Sequence, residues 1–102
     1  MTSTDPVRKV SRRKEATWLG QRGYSQTFHL DSRDAGHRIN VHGWLEDGKQ
    51  GKAGDVTIKR IKGDFFRAPE KAERFDEVTL TDPSDEQIAV VIQRMAQEGA
   101  LA

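Results

Sequence analysis

The chain contains no cysteine, which excludes disulfides and thiolate metal ligands and is compatible with a reducing cytoplasm. No apolar run approaches the roughly 20 residues that a membrane span needs, so no membrane partner is expected. The opening "MTSTDPVRKVSRRKEA" is basic, but no apolar segment follows it as in a secretory signal, and a cytoplasmic location is the expectation. Gly-x-Ser-x-Gly, His-Glu-x-x-His and calcium-loop patterns are all missing, so no catalytic residues, no metal ligands and no cofactor are expected. Hydrophobic residues make up 34% of 102 positions, material for one modest core and one domain. With 32% charged residues but a net charge of +1, total charge points neither toward a polyanionic partner nor away from one.

The distribution of charge says more than its sum. Six basic residues face two acidic ones up to Arg22, eight face six from Gly23 to Pro69, and three face eight from Glu70 to Ala102. Residues 1–16 lack an apolar period and concentrate Arg8, Lys9, Arg12, Arg13 and Lys14, which reads as a flexible basic arm before a domain spanning 17–102.

Alternation follows. Phe28 and Leu30, Ile39 and Val41, Val56 and Ile58, Val78 and Leu80 each mark one greasy face of a strand. "DSRDAG" carries turn residues between the first two strands, and "EDGKQGKAGD" predicts a longer loop between the second and third. The link through Phe65, Phe66 and Pro69 reads as a helical turn or an exposed loop. "TDPSDEQIAVVIQRMAQEG" predicts a helix with Asp82 as N-cap, Pro83 at the first position, a stripe of Ile88, Val91, Ile92 and Met95, and Gly99 as the stop. The fold class is therefore α+β: a four-stranded antiparallel, meander-like sheet with one C-terminal helix packed on one face.

Three site readings arise. "GWLEDGKQ", Gly43 to Gln50, shares glycine and lysine positions with a phosphate-binding loop, but Gln50 stands where magnesium needs a hydroxyl and Glu46 and Asp47 would repel phosphate. A hairpin that pairs residues summing to about 69 would set His29 opposite Asn40 and His42 opposite Thr27. The two imidazoles, with Asp31 nearby, would then neighbour one another on the polar face without an obvious third metal ligand. The third reading is that face itself. With the greasy side turned to the helix, the other side shows Thr27, His29, Asp31, Arg38, Asn40, His42, Trp44, Thr57 and Lys59.

Rings and guanidinium planes among amide donors, with basic groups at the edge, suit single-stranded nucleic acid. On this reading Arg38, His42, Trp44, Lys59 and Arg60 join the Arg8–Lys14 cluster as the binding set. The alternative for Trp44 is to pack under the long loop or on Trp18. "INVHGWLEDGKQGKAG" feeding a strand and "EVTLTDPSDEQIAVVIQRM" running from strand into helix resemble the positive-cofactor and Whirly-type single-stranded-DNA-binding domains. That resemblance implies DNA binding and dimerisation through the helix; Lys59–Asp76 has no counterpart in its compact pattern.

The other function class is a small protein-interaction module, an inhibitor, regulatory subunit or mobile-element component. Phe65, Phe66 and Phe75 would be its apolar anchors, and the acidic C-terminal third would face a basic protein partner. Unpaired strand edges favour a homodimer in either case.

Overall fold

The computed structural model describes residues 7–30, 37–62 and 73–100. In chain order the elements are β1 (Val7–Val10), β2 (Lys14–Trp18), β3 (Gln21–Leu30), β4 (His37–Trp44), β5 (Asp55–Lys62), β6 (Glu73–Thr81) and α1 (Asp85–Ala100). The class is α+β with an antiparallel sheet and one C-terminal helix, but the sheet is five strands wide rather than four. Strands β3 to β6 are the expected meander, and the added edge strand comes in two pieces, β1 and β2.

That edge corrects the reading of residues 1–16 as an arm. Residues 1–6 lie outside the described residues, whereas β1 and β2 both pair with β3, from Val7↔Leu30 to Val10↔Phe28 and from Lys14↔Ser25 to Trp18↔Gln21. The ten residues of β3 are long enough to hold both. Ser11 stitches the break: its N–H donates to the Thr27 carbonyl at 2.8 Å, its Oγ accepts from the Thr27 N–H at 2.8 Å, and its carbonyl accepts from Gln26 Nε2 at 3.1 Å. An edge strand needs no greasy period, because its backbone ladder with the neighbouring strand supplies the pairing.

The core lies between the sheet and α1. Leu30, Ile39, Val41, Val56 and Ile58 pack against Ile92, Met95 and Ala96, with Phe28, Val78, Leu80, Ile88 and Val91 at the margin. Ile39, Ile58 and Met95 are fully enclosed, each gaining about 1.5–3 kcal/mol from burial before ordering costs. Tyr24 extends this layer across β3, opposite Gly43, and its ring fills the space a side chain on Gly43 would need.

The helix cap is two residues later than the sequence suggested. Ser84 is the N-cap: its N–H donates to Gln87 Oε1 at 2.8 Å and its Oγ accepts from the Gln87 N–H at 3.2 Å, a reciprocal capping box. Asp82 instead takes a left-handed φ of 48° in the tight bend after β6, where its N–H bonds the Gly54 carbonyl. A residue bent that way cannot open a right-handed helix, so Pro83 lies before it. The helix also runs through Gly99 to Ala100; a glycine costs a helix about 1 kcal/mol without obliging it to end.

The turn 31–36 and the link 63–72, with Phe65, Phe66 and Pro69, lie outside the described residues. Among the described residues no helix is long and apolar enough to cross a membrane.

Candidate nucleic-acid interface

The face of the sheet turned away from α1 is built by register. Gly23↔Trp44, Ser25↔His42, Thr27↔Asn40 and His29↔Arg38 pair across β3 and β4 on that side, and Asn40↔Lys59 and His42↔Thr57 continue it to β5. From β2 come Lys14, Ala16 and Trp18, and from β6 Glu77 and Thr79. Arg38, His42, Trp44 and Lys59 therefore share one face, as the alternation predicted.

Other candidates do not join them. Arg60 pairs with the core residue Ile39 and so lies on the helix side, because neighbours along a strand alternate faces. Arg13 sits with its guanidinium carbon 3.5 Å from the centre of the Tyr24 ring, a cation–π contact on the helix side. Arg12 is exposed in the break between β1 and β2, and Arg8 and Lys9 fall within β1.

The hairpin register sums to 67, not 69, so the histidine pair is undone. His29 faces Arg38 and His42 faces Ser25, four positions apart along β3, on the order of 13 Å. A slip of two residues keeps every side chain on its own face, which is why alternation could not detect it. Asp31 lies outside the described residues, and among those described no cluster of three His, Asp or Glu could hold a metal.

At the β2–β3 hairpin end of the face three rings interlock edge to face. Trp18 and His42 have centroids 4.7 Å apart at 76°, His42 and Trp44 4.6 Å apart at 81°, and the two indoles 6.5 Å apart at 82°. Gly23, between them on β3, leaves the room: a Cβ there would lie 3.0 Å from Trp44 and 3.3 Å from Trp18. Both packings considered for Trp44 are realised, since its indole also lies against Gly51 of the long loop. All three rings nonetheless remain half-buried. Burial of the imidazole, with the Lys59 cation adding to it, pushes the His42 pKa below 6.5, so the ring is neutral at pH 7.

The rim is anchored by a residue that alternation gave no reason to notice. Gln21 is 4% exposed, and its Nε2 donates to the carbonyls of Glu46 and Gly51 at 2.9 Å each while its Oε1 accepts from the Gln50 N–H at 3.0 Å. The carboxylates that disqualified this loop as a phosphate cradle hold it shut: Glu46 accepts from the Arg22 N–H at 2.6 Å and Asp47 from the Ala53 N–H at 2.9 Å. Beside it the β2–β3 hairpin turns on Leu19 and Gly20, with φ of 51° and 81°, which leaves Leu19 84% exposed at the tip. Two successive left-handed residues are the pattern of a type I′ turn, which favours Asn-Gly.

Toward the other end of the face, Ile61 pairs with Arg38 and is 1% exposed, while Arg38 stays half-buried. Lys59 is 3.8 Å from Glu77, and the Thr57 and Thr79 hydroxyls meet at 3.3 Å. Phe75 lies in β6. Comparison of the chain with protein-family models, curated proteins and solved structures gives no match.

Proposed function

We propose that this chain is a binding domain for nucleic acid, single strands preferred, that presents the helix-free face of its sheet to the ligand. The observation that carries this reading is the row Trp18–His42–Trp44 on that face, flanked by the hydroxyl and amide groups of Ser25, Thr27, Asn40 and Thr57 and by Lys14, Arg38 and Lys59. Half-buried indoles offer partial π surface to unstacked bases, neighbouring polar groups answer base edges, and cations answer phosphates. Edge-to-face rings make a ridged platform, which suits separated bases better than a continuous stack. Arg12, exposed in the break between β1 and β2, adds a phosphate contact along the sheet edge. No chemistry beyond binding is assigned to the face.

Fluorescence anisotropy of labelled single-stranded and double-stranded oligonucleotides, at low and at physiological salt, tests it. Micromolar binding to single strands with quenched Trp emission is expected. Lys14→Ala and Lys59→Ala should each lower the slope of log affinity against log salt by about one phosphate contact. Absence of binding at low salt refutes the reading.

A second reading, a protein partner or a second copy, draws on a different surface. A cleft of about 390 Å³ between α1 and β6 is lined by Leu80, Val90 and Val91, and Val90 is 68% exposed. Sedimentation of the chain and of Val90→Glu across concentration measures whether that cleft supports self-association.

A further inference from the structure

The helix-free face is not flat. Between the Trp18–His42 pair and Lys59 it holds a recess of about 220 Å³, walled by Ser25, Thr27, Asn40 and Thr57. That is below the roughly 300 Å³ at which sites for drug-sized ligands begin, and is the scale of one small ring system. On its polar wall the Asn40 amide N–H groups and the Lys59 ammonium can only donate, while the hydroxyls of Ser25, Thr27 and Thr57 can donate or accept. Asn40 Oδ1 already accepts the Thr27 hydroxyl at 3.0 Å, which leaves the Asn40 amide N–H groups without a partner among the described residues. The Ser25 hydroxyl has none there either, and Lys59 adds an ammonium. Glu77, the nearby carboxylate, is turned to Lys59.

We propose that this recess takes one unstacked base, and that the Asn40 amide, set against the 4-position of a pyrimidine ring, selects thymine or uracil, which carry a carbonyl there, over cytosine, which carries an amino group. This rests on the nucleic-acid reading above and adds base preference to it. Trp18 and His42 line the recess, and Lys59 is placed for the carbonyl or the adjoining phosphate. A base with an amino group in place of a carbonyl would leave the Asn40 amide unanswered, the loss that makes hydrogen-bonding sites discriminate strongly.

The test is anisotropy with 15-mers of thymidine, of deoxycytidine and of an apolar thymine isostere lacking both carbonyls, against the full chain and Asn40→Asp. Thymidine should bind about tenfold tighter than deoxycytidine and than the isostere. Asn40→Asp retains an oxygen for the Thr27 hydroxyl and exchanges donors for an acceptor, so the thymidine-to-deoxycytidine ratio should fall to one or below, whatever its added charge does to both. Equal binding of the three oligonucleotides by the full chain overturns the recess and leaves the face reading standing, as does a folded Asn40→Asp that keeps the ratio. Binding of none overturns both. Because the isostere comparison needs no substitution, the proposal stays refutable even if Asn40→Asp does not fold.

Discussion

Replacing Gln21 by Ala removes a single side chain that holds three backbone groups of another loop, the carbonyls of Glu46 and Gly51 and the N–H of Gln50. At about 0.5–1.5 kcal/mol net per hydrogen bond, the three together are worth about 2–4 kcal/mol, a large part of the about 5–15 kcal/mol that stabilises a domain. For about 100 residues that lowers the melting temperature by about 10–25 °C. The effect should not stay local, because Gly51 lies on Trp44 and a released loop exposes the indole. Urea unfolding followed by circular dichroism gives the first quantity, and native Trp emission, expected to shift red, gives the second. Gln21→Glu should be at least as harmful, since it turns a carboxylate toward two carbonyl oxygens. A loss below about 0.5 kcal/mol with unchanged emission would refute the reasoning, and would mean that Asp47, Glu46 and the Gly48–Gly51 bridge hold the loop without Gln21.

Leu19→Asn should stabilise the fold by about 1 kcal/mol, because Asn tolerates the left-handed φ that Leu19 adopts beside Gly20; a lower urea midpoint would contradict this. The depressed His42 pKa predicts that stability present above pH 6.5 is lost as pH falls from there through the folded-state value, since the unfolded chain binds the proton more readily. Midpoints measured between pH 7 and pH 5 should therefore depend less on pH in His42→Gln. Glu77→Gln releases Lys59 from its partner and should raise single-strand affinity severalfold at low salt while changing stability by less than about 1 kcal/mol, since the pair is well exposed. Ser84→Ala should cost about 1 kcal/mol through loss of the cap, read as a lower urea midpoint.

The face of each of the central strands was readable because burial on one side imposes a period of two, and Phe28, Ile39, Val41, Val56 and Ile58 obey it. The helix stripe of Ile88, Val91, Ile92 and Met95 was readable for the same reason at a period of 3.6. Of the proposed site, Arg38, His42, Trp44 and Lys59 were legible as members of one face. Lys14 was read as part of a loose arm, although Lys14, Ala16 and Trp18 alternate onto the same face. The cap was misplaced because Asp82, Pro83 and Ser84 each carry a local helix-start signal. The φ of Asp82, set by its contact with Gly54, decides among them.

By itself, then, the sequence determined what repeats along the chain: which positions are greasy, which strands have one dry side, and where the one helix lies. Tertiary structure alone decided what depends on partners distant in sequence. Backbone pairing with β3 made the basic head a sheet edge, a two-residue register slip separated His29 from His42, and alternation through that register sent Arg60 to the helix side. Contacts across 24 to 30 residues closed the loop on Gln21 and stood Trp18 against His42 and Trp44. Periodicity reports burial, which is a property of each residue; register and the ring contacts that Trp18 makes are properties of pairs whose members lie on different strands.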